Sequence, residues 1–300
     1  MSTNRHSVSR AEMSVIGLPR RRAVNRLMEA LATLTAVVGV AILFVIVWSV
    51  ARRGAPALNL DLLTKTPIPF SFTNAPTGLA NAFVGTLVIV GVATAMSLPT
   101  GIAVAVYLNE FARPSVRNAI SLVLDVLNGI PAIVIGIFVF GLIVVSHGQS
   151  AFAGSFALAC MMLPLVARST QEILVLVPDS TREASLALGV PRWRTTVSVV
   201  LPQTVGGIVT GTTLAVARIA GETAPLLFTS SIVGTKVSTN PTHALQSVPV
   251  AIFEYSESPN PSDHAQAWAA ALVLLAFILV ASMSARALAG RSKRKMGLSR

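Results

Sequence analysis

From Thr66 to Asn109 the chain carries no charged side chain. A helix that crosses a bilayer needs roughly 20 apolar residues. An uncharged interval of this length therefore fits hydrocarbon far better than water. Other such intervals recur along the sequence, and composition agrees with them. Charged residues make up 12% of the 300, and 53% are apolar. About a quarter of a soluble domain is charged, so these few charges cannot cover a soluble surface. The pattern excludes a soluble globular enzyme, a disordered chain and a fibrous repeat. A transmembrane β-barrel would alternate polar and apolar residues over ~10-residue strands, whereas these runs are continuous. The expected fold class is all-α, a polytopic membrane protein.

The apolar intervals predict six spans: 30–50, 81–108, 119–145, 151–167, 204–231 and 265–285. A basic segment, 1–29, precedes them, and a basic tail, 286–300, follows. The lead and the first apolar stretch are both longer than those of a secretory signal peptide, so a retained anchor is expected. Lysine and arginine fix the orientation. With both termini inside, eighteen of the 23 basic residues fall in inner segments and four, Arg52, Arg53, Lys65 and Lys236, fall outside. The remaining one, Arg218, lies within the fifth span. Cytoplasmic loops carry the excess of positive charge, so both termini are expected in the cytoplasm. The net charge of +11 serves topology and does not form a nucleic-acid patch. Pro56, Pro67, Pro69 and Pro76 predict irregular structure in the first outer loop. Residues 232–264 form the second outer loop, with Pro241, Pro249, Pro259 and Pro261.

The longest inner loop, 179–202, predicts a compact hairpin. Ser180 and Glu183 have capping-box spacing. Gly189 suits the left-handed position that ends a helix, and Pro191 suits the first turn of a second helix. That second helix would run through Leu201-Pro202 into the fifth span. Taken alone, the loop reads as an amphipathic juxtamembrane hairpin. Its spacing says more. Glu183-Ala184-Ser185, three residues, Gly189, nine residues, then Val199-Val200-Leu201-Pro202 resembles the EAA loop of ABC importer permeases. Ser185 stands where that pattern has its second alanine, and Val199 where it has isoleucine. The resemblance implies a type I importer permease fold. It also implies that Glu183, Ala184, Gly189, Leu201 and Pro202 couple the chain to a separate ATPase subunit.

Further segments are similar to the phosphate importer permeases, of the PstA type more than its PstC-type sister. They are Gly78-Leu79-Ala80-Asn81-Ala82-Phe83-Val84-Gly85-Thr86, Leu98-Pro99-Thr100-Gly101, Tyr107-Leu108-Asn109-Glu110, Asp125 to Val134, and Ala217 to Leu227. Ala132 departs from the family's usual Pro-Ser-Ile-Val. The implied partners are a PstC-type second permease, a PstB-type ATPase dimer, a PstS-type extracytoplasmic binding protein, inorganic phosphate and membrane lipid.

Arg218 and Glu222 are the only ionisable pair well inside a predicted span. Each costs at least ~2.5–3.5 kcal/mol at mid-bilayer. Gly221 permits close approach of a ligand, and Pro225 removes the hydrogen bond to Gly221. A broken helix with polar groups at mid-membrane is a recurring transporter site. The residues alone leave two readings, an oxyanion contact or a structural ion pair, and the resemblance favours the first, with Arg218, Gly221 and Glu222 along the substrate path. Asp125 is placed near the inner headgroups.

No catalytic residue and no metal site are expected. His6, His147, His243 and His264 lack metal-ligand spacing, and Cys160 is the one cysteine. Ser146-His147 has no Gly-x-Ser-x-Gly elbow beside it. None of Lys65, Lys236, Lys293 and Lys295 belongs to a phosphate loop, so no cofactor is expected in this chain, and ATP would be bound by a partner subunit. Rival readings are a permease for another oxyanion or polar solute, and a secondary anion transporter. The latter should show two related halves; no convincing repeat is present. An intramembrane enzyme would need a reactive constellation that Arg218 and Glu222 do not make.

Overall fold

The computed structural model describes residues 18–67, 78–231, 234 and 236–295. Pro69, Pro76, His6 and the ends of both basic termini lie outside them. Every regular element among the described residues is helical. Among the described residues five helices are long and apolar enough to cross a membrane, or six if a bent pair of helices is counted as one span.

Residues up to Arg52 form one compact unit and those from Arg53 a second. The first holds helix α1, Leu18–Gly54, up to Arg52, and the apolar side chains of this helix from Val24 to Ile46 are exposed. Phe44 stacks on Trp48, one helical turn on, with ring centroids 6.3 Å apart. The charge-free stretch of this helix, 30–51, is apolar on most of its circumference, which suits a lipid surrounding.

The second unit is built on α3 (Ala80–Val106), α7 (Ala151–Val175) and α10 (Leu201–Ala220). Small residues let these helices approach closely, as membrane packing requires. The buried face of α7 carries Ala151, Ala153, Gly154, Ser155, Ala157 and Ala159. Ile89 of α3, Leu158, Met162 and Val166 of α7, and Ile219 of α10 fill the centre.

Three predicted spans differ from expectation. The third, expected as one helix over 119–145, is a pair: α4 (Pro114–Gly129) and α5 (Ala132–Val139), the latter continued by a π-helical turn, Phe140–Val144, and the short α6 (Val145–His147). The halves meet at 97°. Pro131 has no N–H to continue the ladder, and it drives Ile130 into extended backbone, φ −69° and ψ 130°. Asp125 lies on α4, where its carboxylate meets Arg168 Nη2 at 2.6 Å.

The fifth helix begins at Arg192 with α9 (Arg192–Thr195), passes through a π-helical turn, Thr196–Val200, and stops at Ala220, well short of 231. After a break at 221–223, α11 (Ala224–Thr229) resumes. Pro225 denies Gly221 its helical donor, so the last turn tightens: Gly221 N–H bonds Arg218 O and Glu222 N–H bonds Ile219 O. The fourth helix instead outruns its predicted end at 167 and reaches Val175.

In the described parts of the two loops predicted outside, short helices form among the prolines. Asn59 caps α2 (Leu60–Thr64), and α12 (Val248–Ser256) starts with a proline in its first turn. A Cβ on Gly85 would sit 2.1 Å from Gln246 O, so only glycine lets that segment lie on α3. Asn81 Nδ2 donates to Gln246 Oε1 at 2.8 Å and to Gly234 O at 2.6 Å. Gln246 Nε2 in turn donates to Glu254 Oε2 at 2.7 Å. Burial raises the Glu254 carboxyl above its usual range, partly offset by that bond. Burial, with Asp263 and Glu254 nearby, pushes Tyr255 up to about 12, which keeps the phenol neutral. The last helix, α13, runs Pro261–Lys295.

Candidate functional site

Chemistry-bearing residues gather in two places. The first is the break in the fifth helix. Arg218 sits in the last turn of α10, exposed on this single chain, and Glu222 lies beyond the helix end, half-buried. The expected i, i+4 pair on one helical face is therefore not formed, because the helix ends between them. Among the described residues no ion pair or hydrogen bond engages either side chain. Gly221 is exposed beside them.

The two interrupted spans meet here. A Cβ on Gly136 of α5 would lie 2.7 Å from Pro225 Cα, and a Cβ on Gly154 of α7 would lie 2.9 Å from Leu226 Cδ2. Thus α11 is seated between α5 and α7, while the 221–223 break stays uncovered. Arg218 offers five donors in a rigid fork that suits a tetrahedral oxyanion.

The second place is the hairpin over 179–202. Helix α8, Asp179–Ala187, starts one residue before Ser180, with Pro178 at its N-cap, so the capping box does not form. The stop is as expected: Gly189 has φ +78°. Gly189 N–H bonds Leu186 O at 2.9 Å and Val190 N–H bonds Ser185 O at 3.3 Å. This is the Schellman pattern, which satisfies carbonyls at the helix end. Pro191 stands at the N-cap of α9, one position earlier than expected. Ser185, the departure from alanine, is buried and meets the Thr195 hydroxyl at 2.9 Å, closing the hairpin across its two arms. Glu183, Ala184 and Gly189 are exposed on the outer surface of this knob, with Leu201 and Pro202 at the root of α10. In the π-helical turn before Pro202, Leu201 N–H bonds Thr196 O, so the ladder shifts register just where the proline has no N–H to give.

Arg182 was not singled out from the sequence, yet it has more polar partners than any neighbour in the hairpin. It bonds Val177 O, Leu174 O, Asp179 and Glu110. Its place beside Glu183 was a signal, but the partner carboxylate is 72 residues away and no local pattern marks it.

Residues 97–294 match the family described as the binding-protein-dependent transport system inner membrane component. A phosphate transport system permease protein PstA of Xylella fastidiosa (strain Temecula1) is 40% identical over 279 residues, covering 91% of this chain and 95% of the relative. The chain belongs to the PstA permease family. Other PstA members include that of Haemophilus influenzae, 38% identical over 89% of this chain and 94% of its own, and PstA 1 of Mycobacterium tuberculosis H37Rv, 37% identical over 89% and 87%.

Solved structures agree on the fold. A bacterial alginate ABC transporter chain, in complex with its alginate-bound periplasmic protein, superposes with TM-score 0.62 at 14% identity, covering 92% of this chain and 98% of that one. A chain of the inward-facing MetNI methionine transporter gives 0.56 at 16%, covering 71% and 93%. The PstA-family chain thus has the type I ABC importer permease fold, and it is a multi-pass inner-membrane transport subunit.

Proposed function

We propose that this chain forms, with a PstC-type second permease, the translocation path of an ATP-driven phosphate importer. The observation that carries the reading is Arg218, an unpaired guanidinium at the open end of a broken helix in a chain whose relatives are named phosphate permeases. A PstS-type binding protein delivers phosphate outside. A PstB-type dimer binds and hydrolyses ATP inside, docking on Glu183, Ala184 and Gly189, with Leu201-Pro202 carrying the movement into α10. ATP-driven closure moves the hairpins, and the helices expose the path to one face and then the other. Arg218 binds the anion there, Gly221 leaves room for it, and Glu222, of like charge to phosphate, favours its release.

Reconstituting the four components in proteoliposomes tests this. ATP should drive labelled phosphate inward, and excess methionine or alginate oligosaccharide should not compete. Competition by sulfate equal to that by phosphate would shift the reading to a general oxyanion permease.

The same reading puts both termini in the cytoplasm, on the eighteen-to-four charge bias. Reporter fusions after Gly54, His147 and Pro259 should report outside, and fusions after Arg113 and Arg192 inside. An inside signal at Pro259 would reverse the assignment of the 232–264 segment.

A further inference from the structure

Where the ATPase-facing hairpin joins the membrane helices, one side chain holds three elements together. The Arg182 guanidinium donates from Nη1 to Val177 O at 2.6 Å and from Nη2 to Leu174 O at 2.9 Å. Leu174 lies in the last turn of α7, at the helix's negative end, and Val177 lies two residues beyond the helix. Nη2 also meets Glu110 Oε1 at 3.0 Å, and Nε faces both oxygens of that carboxylate. Asp179, on the hairpin itself, takes the remaining contact at 3.1 Å.

The distant partner is built for the purpose. Glu110 belongs to a π-helical turn, Tyr107–Phe111, that ends α3 and is closed by Ala112 N–H on Tyr107 O. Asn109 Nδ2 donates to Glu110 Oε1 at 2.8 Å, which orients the carboxylate. Arg117 holds the Leu108 and Asn109 carbonyls from the α4 side. Arg182 and Glu110 keep only 17% and 11% of their side-chain surface, against 47% and 37% for the exposed pair Lys65–Asp61. Pairs of the exposed kind contribute little; this one is shielded from water and screened less.

We infer that Arg182 is a positioning residue that makes the hairpin, the inner end of α3 and the inner end of α7 move as one body. The inference rests on the proposed function and adds to it the route by which ATPase movement reaches the helices that frame the path. Lysine has one ammonium on a flexible stem, so it cannot hold the carboxylate and both carbonyls at once.

The test uses the complete four-component transporter and reads phosphate moved per ATP hydrolysed. Glu110→Gln and Arg182→Lys should each lower that ratio about fivefold or more, as coupling changes of this kind do. The ATPase should still co-purify and hydrolyse ATP. The double variant should lose little beyond the worse single one, because both changes cut one link. A wild-type ratio in both single variants overturns the inference, while the wild-type transporter still carries phosphate. A wild-type transporter that hydrolyses ATP without moving phosphate overturns the functional reading itself, and the inference with it. Should either variant fail to assemble, a covalent link that keeps Arg182 and Glu110 decides. In a Cys160→Ala background, Asn109→Cys with Asp179→Cys, which line the same cleft as the pair, is joined by a short bis-maleimide. Uptake that persists after joining supports a single rigid body. Loss of uptake on joining shows that the contact must open during transport, and overturns it.

Discussion

Arg218→Gln is expected to abolish phosphate uptake while the protein still inserts and binds its ATPase. Charge-assisted hydrogen bonds contribute about 1.5–3 kcal/mol each, so each one lost from Arg218 weakens anion capture by about 10- to 150-fold. Arg218→Lys keeps the charge without the fork, so uptake should fall but not vanish. The alternative role, half of a structural ion pair, makes a different prediction. Breaking a buried pair strands a carboxylate at a cost of several kcal/mol, but Glu222 has no contact with Arg218 to lose. Expression should therefore be unharmed by Arg218→Gln alone. The double variant Arg218→Gln with Glu222→Gln separates the roles: it should assemble with its ATPase yet move no phosphate. Near-normal uptake in the double variant would remove Arg218 from the path and make the pair scaffold.

Which features were legible in the sequence follows from the range of the forces involved. Span positions and fold class follow from uncharged apolar runs, a property of consecutive residues. The hairpin stop was legible because a left-handed backbone favours glycine, and Gly189 has φ +78°. The 97° bend was present in Gly129-Ile130-Pro131, yet the mostly apolar residues on both sides of it, from Ala119 to Val145, masked it. Pro225 marked the break in the fifth span, but the helix ended sooner, at Ala220, so the register of Arg218 and Glu222 on a common face was lost. Capping-box spacing at Ser180 and Glu183 did not form because Pro178 fixes the helix start one residue earlier. The contacts least visible in sequence are the long-range polar ones. Arg182 with Glu110, Asn81 with Gln246, and Asp125 with Arg168 join residues 43 to 165 positions apart, and no periodicity encodes such partners.

Gly189→Val is expected to stop uptake with the protein still in the membrane. At φ +78° a side chain meets the following carbonyl, which costs about 1–2 kcal/mol, and a β-branched one fits worse. That alone depopulates the native turn roughly five- to thirtyfold. The two bonds that close the hairpin, Gly189 to Leu186 and Val190 to Ser185, then open together. Glu183 and Ala184 then leave the position that the proposed docking requires, although α10 remains whole. Space is not the difficulty, since a Cβ there would meet nothing within 4 Å. Conformation is the only penalty, and residues should rank by tolerance of the left-handed region. Gly189→Asn should keep a substantial part of uptake, because asparagine adopts it; Gly189→Ala should keep less, and Gly189→Val least. ATPase co-purification should follow the same order, and membrane insertion should not change. Equal uptake across the series would mean that the hairpin is a connector, with docking carried elsewhere on the chain.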